Sequence, residues 1–255
     1  MGFDFHADGV RPIVLLDAVG TLMYPEPTAA IVYHAFGKRL GVEVPLDEIR
    51  RRFDMARRAY FPPLASSEEH ELVTNDERER RRWREIVGAV FLELSNSLAD
   101  RLFGELWEYF ADGNHWRLFP DVEPALRELS QRGIPWAIAS NFDERLERAV
   151  QAHVALKEAV AVFHSAKLGI CKPAPQFYLQ IAARLDAHVT QLWMIGDDPD
   201  ADFLGARNSG CQALWLNRHQ GRAANRIAAN RIAANRIAAD RTITELHQLT
   251  HYLFD

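Results

Sequence analysis

The sequence predicts an α/β fold in which an open parallel sheet is interrupted, after its first strand, by a helical insertion. Short, continuously apolar runs recur along the chain, which is typical of parallel strands covered on both faces. Helical patterns lie between these runs, and alternating strands and helices indicate a parallel sheet. A stretch from about residue 24 to residue 113 breaks that alternation and shows only helical spacing, which indicates the insertion.

Five apolar runs predict the strands of the sheet. The first, residues 12–17, ends in an acid, and similar runs occupy residues 135–139, 191–195 and 212–216. A weaker run at residues 159–163 predicts one more strand. Open α/β sheets bind ligands at the carboxyl ends of their strands. The polar residues that follow these runs are therefore the first candidates for a functional site.

Within the insertion, apolar side chains recur three or four residues apart, which predicts amphipathic helices. They include Ile49, Phe53, Ala56, Tyr60, Ile86, Val90, Leu94, Leu98, Leu102, Leu106 and Phe110. Thr74 and Glu77 have the spacing of a capping box, which predicts a helix start at this point. Arginines and glutamates interleave over residues 77–85, so we expect a solvated, salt-bridged face there rather than an anion site.

Composition excludes several classes of protein. The 255 residues are 48% hydrophobic and 25% charged, as in globular proteins, and the net charge of −5 disfavours a nucleic-acid or anionic-membrane partner. Two cysteines make no disulfide framework, and neither a signal peptide nor an apolar run of about 20 residues is evident. We expect a cytoplasmic protein, and the oligomeric state stays open.

A five-residue repeat, Arg-Ile-Ala-Ala-Asn, occupies residues 223–240 near the end of the chain. Five residues advance about 140° beyond a full helical turn, so the repeated isoleucines form no single stripe. We interpret the repeat as an expansion in a surface connection; the alternative is an arginine row for an anionic partner. Apolar residues spaced over 243–253 then predict a closing amphipathic helix.

Polar residues follow three of the predicted strands, and a lysine precedes Pro173. They are Asp17, Ser140, Asn141, Lys172, Asp197, Asp198 and Asp202. An aspartate can attack an electrophile covalently, and clustered carboxylates supply the hard oxygen ligands that Mg²⁺ prefers. A lysine and a hydroxyl can hold the charged oxygens of a transferring group. Without a metal, carboxylates converging on one point would repel and raise a pKa.

This order of residues resembles the haloacid dehalogenase (HAD) superfamily of hydrolases, in the subfamily with a helical cap after the first motif. Residues 17–21, Asp-Ala-Val-Gly-Thr, correspond to the family's Asp-x-Asp-x-Thr, and residues 141–145 are similar to the rhythmically-expressed-gene-2 group. The resemblance covers nearly the whole chain apart from the repeat. It implies a Rossmann-like core over residues 1–24 and 113–255, with the repeat as an insertion, and a helical cap over residues 25–112.

The resemblance also implies a function and a set of roles. The protein would be a Mg²⁺-dependent phosphatase of a small phosphorylated metabolite, working through an aspartyl-phosphate. Asp17 would be the nucleophile, and Asp17, the Val19 carbonyl, Asp197 and Asp202 would bind the metal. The catalytic and phosphate-binding groups would also include Thr21, Ser140, Asn141 and Lys172.

One departure from the family pattern bears on this function, because Val19 stands where the phosphatases carry their second aspartate, the general acid and base. Loss of such a group typically costs about 10²–10⁴-fold in rate. One alternative is a non-catalytic protein that binds a phosphorylated ligand or a partner. Another is a carbon–halogen hydrolase: the 2-haloacid dehalogenases carry Asp-Ala-Tyr-Gly-Thr, but they lack the later acids, which this chain keeps. A Schiff-base mechanism would have to use Lys38.

Three further residues are candidates to replace the missing acid or base, and Cys171 is a separate candidate as a reactive thiol. Asp143 and Asp198 each follow residues of the predicted catalytic loops, which makes them the stronger pair. His164 is more simply interpreted as an incidental histidine at a strand end. Cys171, beside the predicted catalytic lysine, is more simply a small lining residue.

Overall fold

The structure is a computed structural model that describes residues 11–61, 69–218, 237 and 241–254. Apart from Ile237, the predicted repeat at residues 223–240 lies outside the described residues. Among the described residues, no helix combines the length and the apolarity that a membrane crossing requires.

The main sheet has six parallel strands, as the alternation of apolar runs and helices predicts. The strands of the chain are β1 (Ile13–Leu16), β2 (Met23–Pro25), β3 (Trp116–Leu118), β4 (Trp136–Ser140), β5 (Val162–His164), β6 (Leu192–Gly196), β7 (Gln212–Leu216) and β8 (Thr242–Ile243). The sheet order is β5-β4-β1-β6-β7-β8, while β2 and β3 form a separate antiparallel pair. All five predicted strands are present, and the α/β fold class is confirmed.

Eleven α-helices are described. They are α1 (Ala29–Arg39), α2 (Leu46–Tyr60), α3 (Glu69–Leu72), α4 (Asp76–Val90), α5 (Asn96–Ala111), α6 (Val122–Gln131), α7 (Arg145–Gln151), α8 (Ser165–Leu168), α9 (Pro175–Arg184), α10 (Gly205–Asn208) and α11 (Leu249–Phe254). A π-helical turn, Pro199–Leu204, follows β6. Short 3-10 turns lie at Gly113–His115, Val154–Glu158, Val189–Gln191 and Leu246–Gln248.

Both faces of the sheet are buried, which explains why its strands are continuously apolar. Successive side chains of a strand point to opposite faces. In β1, Val14 and Leu16 belong to a hydrophobic cluster that includes residues of α6, α7 and α11. Leu15 belongs to a second cluster, which includes residues of α9 and α10. The central strand is thereby fixed between two hydrophobic layers.

The predicted insertion consists of helices that have a hydrophobic cluster of their own. Helices α1, α2, α4 and α5 bury Tyr33, Phe53, Ile86 and Leu102 with their neighbours, separately from the two clusters on the sheet. The expected helical spacing is therefore confirmed for most of these positions, but Leu94 lies between α4 and α5 and Leu98 is 39% exposed. The division of the chain at residues 25 and 112 stays a prediction.

Two predicted helix starts differ from the structure. The N-cap of α4 is Asn75, whose side chain accepts a hydrogen bond of 2.7 Å from the Arg78 backbone N–H, while the Thr74 hydroxyl donates to Glu79 instead. The closing amphipathic stretch begins as strand β8 and becomes α-helical only from Leu249. In both cases a contact outside the helix changes the local preference.

The helices of the insertion contact the loops at the carboxyl edge of the sheet. Backbone hydrogen bonds join Thr74 N–H to the Gly169 carbonyl at 3.1 Å and Cys171 N–H to the Leu72 carbonyl at 2.9 Å. The Glu144 backbone N–H donates to Asp76 at 2.9 Å. These contacts fix α3 and the start of α4 beside the loops that follow β4 and α8.

Candidate active site

The carboxyl ends of β1, β4 and β6 lie side by side because β1 pairs with both neighbours. Asp17 follows β1 directly, and its Oδ1 accepts hydrogen bonds from the Ser140 hydroxyl at 2.9 Å and from Lys172 Nζ at 2.8 Å. Carboxylate oxygens of Asp17, Asp197 and Asp202 lie within 4.8 Å of one another. The structure thus brings together five residues that are far apart in the chain.

Lys172 is the buried cation of this site, with 1% of its surface exposed. Its ammonium donates to Asp17, to Asp202 at 2.6 Å and to the Ala139 carbonyl at 3.0 Å. Burial alone would lower the pKa of Lys172, but the adjacent carboxylates of Asp17 and Asp202 outweigh it and raise the pKa above its ordinary value. The lysine therefore remains charged at neutral pH.

The three carboxylates carry more negative charge than this lysine neutralises. Burial raises the pKa of Asp202 well above its ordinary value, and the neighbouring carboxylates of Asp17, Asp198 and Asp197 raise it further against the opposing effect of Lys172. A divalent cation among oxygen ligands would relieve that repulsion. The donor set and its charge therefore fit a hard metal ion.

A tight turn after β1 brings the backbone against the carboxylates. Leu22 and Met23 donate their N–H groups to the Ala18 carbonyl at 2.8 and 2.9 Å, and Gly20 N–H donates to the Met23 carbonyl at 2.9 Å. Gly20 has a φ of +96°, and a Cβ there would lie 2.5 Å from Asp197 Oδ2. Glycine is needed at this position both for its conformation and for the close approach of Asp197.

Val19 and Thr21 differ in burial within that turn. The Val19 side chain is 37% exposed, whereas Thr21 is fully buried. Thr21 Oγ1 has no hydrogen-bond partner within the described part of the chain. The Thr21 carbonyl, by contrast, accepts a hydrogen bond of 2.7 Å from Arg218. The Thr21 backbone therefore joins this turn to Arg218. The predicted phosphate-binding role of Thr21 stays a prediction.

The side chain of Asn141 links two loops of the site. Its Nδ2 donates to the Lys172 carbonyl at 3.0 Å, and its Oδ1 accepts from the Lys172 backbone N–H at 2.8 Å. Both polar atoms are therefore engaged in positioning the lysine. The predicted phosphate-binding role of Asn141 stays a prediction.

Asp198 and Asp143, the stronger candidates for a replacement acid, both have structural contacts. Asp198 Oδ1 accepts from the backbone N–H groups of Asp200 and Ala201 at 2.9 and 3.0 Å, which caps the π-helical turn. Asp143 is buried and accepts from Arg145 Nε at 2.7 Å and Nη2 at 2.6 Å. Each carboxylate is therefore held by fixed donors.

The weaker candidates are also placed in structural roles. Burial lowers the pKa of His164, whose Nδ1 accepts from the Lys167 backbone N–H at 3.3 Å. Burial raises the pKa of the Cys171 thiol to about 11, so it is a thiol rather than a thiolate at neutral pH. Lys38 is exposed in the last turn of α1.

Three arginines of α4 have close polar partners, and the contact between Arg82 and Glu79 is one that the interleaved charges predict. Arg82 contacts Glu79 at 2.7 Å, Arg84 contacts Asp100 at 3.2 Å, and Arg78 donates to the Val73 carbonyl at 2.6 Å. These contacts account for Arg78, Arg82 and Arg84 without a bound anion.

Arg218 is a residue of the site that sequence reasoning missed. Its guanidinium donates to the Thr21 carbonyl and to Asp121 at 2.9 Å, and it lies 4.1 Å from the centroid of the Phe119 ring. It follows β7 by two residues, at the same edge of the sheet as Asp17. Its position just after the apolar run of β7 could have identified it from the sequence, because residues that follow the strands at this edge approach the site.

A parallel sheet with three carboxylates, a lysine and a serine at one edge defines a site suited to attack by an aspartate beside a cation. The sequence profile of the haloacid dehalogenase-like hydrolases matches residues 12–210. The chain therefore belongs to the haloacid dehalogenase-like hydrolase family and is a hydrolase by that membership.

Of three curated relatives, one matches most of the chain and two match about half of it or less. Phosphoserine phosphatase from Thermus thermophilus is 27% identical over 221 residues, which cover 81% of this chain and 88% of the relative. Haloacid dehalogenase-like hydrolase domain-containing protein 3 from Danio rerio is 27% identical over 49% of this chain and 52% of its own length. Ribulose-1,5-bisphosphate 5-phosphatase from Halopiger xanaduensis is 33% identical over 38% of this chain and 41% of its own.

Solved structures share the fold over almost the whole chain. The magnesium-bound HAD-hydrolase YfnB from Bacillus subtilis has a TM-score of 0.70 at 16% identity and covers 95% of this chain and 99% of its own. The 2-haloacid dehalogenase from Pseudomonas syringae has a TM-score of 0.59 at 23% identity, over 95% of this chain and 98% of its own. At these identities the likeness concerns the fold alone.

Proposed function

We propose that the protein is a Mg²⁺-dependent phosphatase acting on a small phosphorylated metabolite, with Asp17 as nucleophile. The observation that carries this proposal is the arrangement around Asp17: Ser140 and Lys172 both bond its Oδ1, and two further carboxylates stand beside it. A fixed carboxylate next to a cation and a metal-ligand set suits phosphoryl transfer. Two of the curated relatives carry phosphatase names, which supports the same reaction class.

Mg²⁺ would be held by the carboxylates of Asp17, Asp197 and Asp202 together with the Val19 carbonyl. When bound, it would supply positive charge for the phosphoryl oxygens. The fit rests on the oxygen-only donor set, on its spacing within 4.8 Å and on the raised pKa of Asp202.

The chain's own residues would carry out the chemistry in two steps. An oxygen of Asp17 attacks phosphorus, the bond to the leaving oxygen breaks, and an aspartyl-phosphate forms on Asp17. Water then attacks phosphorus, the bond between phosphorus and the Asp17 oxygen breaks, and the Asp17 carboxylate is restored. Inorganic phosphate leaves, and the proton of the attacking water passes to the phosphate or to solvent. Ser140 and Lys172 would hold the charged oxygens of the transferring group, with Thr21 and Asn141 keeping the two loops in place.

The helical stretch over residues 25–112 would serve as a cap on a core of residues 1–24 and 113–255. Its observed contacts with the loops after β4 and α8 support that arrangement, because the first loop directly follows Ser140 and the second carries Lys172. A cap in this place would determine which metabolites reach Asp17. A cytoplasmic location accords with a metabolite substrate and with the two free cysteines.

Because Val19 cannot transfer a proton, a second candidate function is that of a non-catalytic protein that binds a phosphorylated ligand through the same residues. A metal–phosphate binding site needs the carboxylates and the lysine but no proton donor. A carbon–halogen hydrolase is less well supported, because halide expulsion has no need of the carboxylates Asp197 and Asp202 that this chain keeps beside Asp17.

The test is phosphate release from a panel of phosphorylated metabolites, measured with Mg²⁺ and with a chelator. We expect release that requires Mg²⁺ and that falls to the no-enzyme background in Asp17→Asn. Asp186→Asn is the matched control, because Asp186 is exposed and has a φ of 49°, which asparagine also tolerates. Phosphate release that persists in Asp17→Asn would refute Asp17 as the nucleophile. If the wild type releases phosphate from none of the substrates, the non-catalytic binding function remains. Chloride release from 2-chloropropionate would favour the carbon–halogen hydrolase.

A further inference from the structure

Within the described residues, the side chains that bond Asp17 are those of Ser140 and Lys172, and neither is an acid that would protonate the group leaving phosphorus. We infer that the site is selective for phosphoryl donors whose leaving group departs as a stable anion, namely acyl, enol and aryl phosphates rather than alkyl phosphates. The inference rests on the proposed phosphatase function and names its substrate class.

The balance of the first step explains why a proton matters. When Asp17 attacks phosphorus, the electron pair of the breaking P–O bond stays on the leaving oxygen. An alkyl alcohol has a pKa of roughly 16, close to that of bulk water, so its oxygen needs a proton as it leaves. A phenol has a pKa of about 10 and a carboxylic acid one of about 4, so these groups leave as anions with much less help.

The two hydrogen-bond donors on Asp17 are committed and buried. The Ser140 hydroxyl donates to Asp17 Oδ1 at 2.9 Å. The three bonds of Lys172 Nζ go to Asp17, to Asp202 and to the Ala139 carbonyl. Both residues stabilise charge, but they do not release a proton.

Val19 has a partly exposed side chain in the turn that follows Asp17. It lies two residues after the nucleophile and is 37% exposed, while Ala18 and Thr21 on either side are buried. Three backbone hydrogen bonds close the turn over residues 18–23, so its conformation is set by the backbone. An isopropyl group at this position can exclude water, but it has no proton to give.

Other acids of the neighbouring loops are held elsewhere. Within residues 69–218, Asp143 is bound by Arg145, Asp198 caps the π-helical turn, and the Cys171 thiol is buried. His164 is buried, with its Nδ1 occupied by the Lys167 backbone N–H. None of these four side chains is placed to follow the leaving group.

The experiment measures kcat/KM with saturating Mg²⁺ for acetyl phosphate, p-nitrophenyl phosphate, phenyl phosphate and ethyl phosphate. This ratio reports the first step, in which the leaving group departs. For the wild type we expect a decrease of about 10²–10⁴-fold from p-nitrophenyl phosphate to ethyl phosphate, the size of the missing acid's contribution. An equal rate on these two substrates would overturn the inference while leaving the phosphatase intact.

Val19→Asp and Val19→Asn form a matched pair of nearly equal shape. We expect Val19→Asp to raise the ratio of kcat/KM for ethyl phosphate to kcat/KM for acetyl phosphate by about 10²-fold or more, and to add a decline at high pH. Val19→Asn should give no such gain. If both variants misfold, the comparison of kcat/KM between p-nitrophenyl phosphate and ethyl phosphate in the wild type still tests the inference. Absence of phosphate release from all four substrates, in wild type as in Asp17→Asn, would refute the proposed function instead.

Discussion

His164 shows how burial decides the state of a single titratable residue. Its ring lies at the end of β5 with Nδ1 accepting from the Lys167 backbone, and Nε2 is 3.8 Å from Glu147. Burial lowers the pKa of His164 below the ordinary value of 6.5, more than the nearby carboxylates raise it. The neutral ring is therefore part of the folded structure at neutral pH.

Because the folded pKa of His164 is depressed, the unfolded chain binds the proton first as the pH falls. The stability contributed by the neutral ring is complete above pH 6.5 and is lost as the pH falls from there through the folded pKa. We expect the free energy of unfolding in urea to fall more between pH 7.5 and 5.5 in the wild type than in His164→Gln. His34→Gln, on α1, is the control and should keep the wild-type slope. Equal slopes in wild type and His164→Gln would contradict this assignment.

Single residues also show what could be predicted from sequence. Asp17, Ser140 and Asp197 were predicted to meet because each follows an apolar strand, and parallel strands present their carboxyl ends at one edge. The bonds of Asn141 to the Lys172 backbone and of Arg218 to Thr21 were not predicted. These contacts join loops whose separation depends on packing, which no local pattern encodes.

At the scale of elements, the apolar runs of the sequence predict the main strands of the sheet. The elements that were not predicted correctly, β8 and the start of α4, each have a local cause. Strand β8 has only two residues and is held by β7, so it carries too little pattern to be recognised. The α4 start moved from Thr74 to Asn75 because the Thr74 hydroxyl bonds Glu79 and its N–H pairs with Gly169. Capping patterns predict the vicinity of a helix start, while tertiary contacts select the residue.

Helices α7 and α5 are joined by a buried arginine. Arg145, at the start of α7, pairs with Asp143 through two hydrogen bonds, and its guanidinium carbon lies 3.7 Å from the centroid of the Trp107 ring on α5. The stacking combines a cation–π contact with a desolvated ion pair. This contact ties the loop after Ser140 to the helical insertion.

Arg145→Met leaves the Asp143 carboxylate buried without its partner, which typically costs about 3–5 kcal/mol. We expect this loss in the free energy of unfolding, measured by urea titration, and a substantial recovery in the double variant Asp143→Leu/Arg145→Met. Arg148→Met is the matched control, because the Arg148–Glu108 pair also joins α7 to α5 but is exposed, and it should cost under about 1 kcal/mol. Similar losses for both arginines would show that burial does not distinguish the two pairs.

At the scale of the whole molecule, the site lies where the strand order reverses. From β1 the chain reaches β4 and β5 on one side of the sheet, and β6, β7 and β8 on the other. Loops on the two sides of β1 therefore diverge above Asp17 and leave a crevice, which is where open α/β sheets bind ligands. The carboxylates gathered there face one another across that point.

A metal ion that binds these carboxylates only in the folded state stabilises the whole molecule by mass action. At a concentration 100 times its dissociation constant the gain is about 2.7 kcal/mol. For a chain of this size each kcal/mol raises the melting temperature by about 2–4 °C. We therefore expect Mg²⁺ to raise the melting temperature by roughly 5–10 °C relative to NaCl of equal ionic strength, read by differential scanning fluorimetry without substrate.

Asp197→Asn removes one ligand and one negative charge from the cluster. Its metal-free form should melt no lower than the wild type, because repulsion among the three carboxylates within 4.8 Å is relieved. Its response to Mg²⁺ should be largely lost, whereas the exposed control Asp186→Asn should respond like the wild type. The same Mg²⁺ response in Asp197→Asn and wild type would place the cation elsewhere. The carboxylates would then be only a source of repulsion in the fold, with no bound cation to offset it.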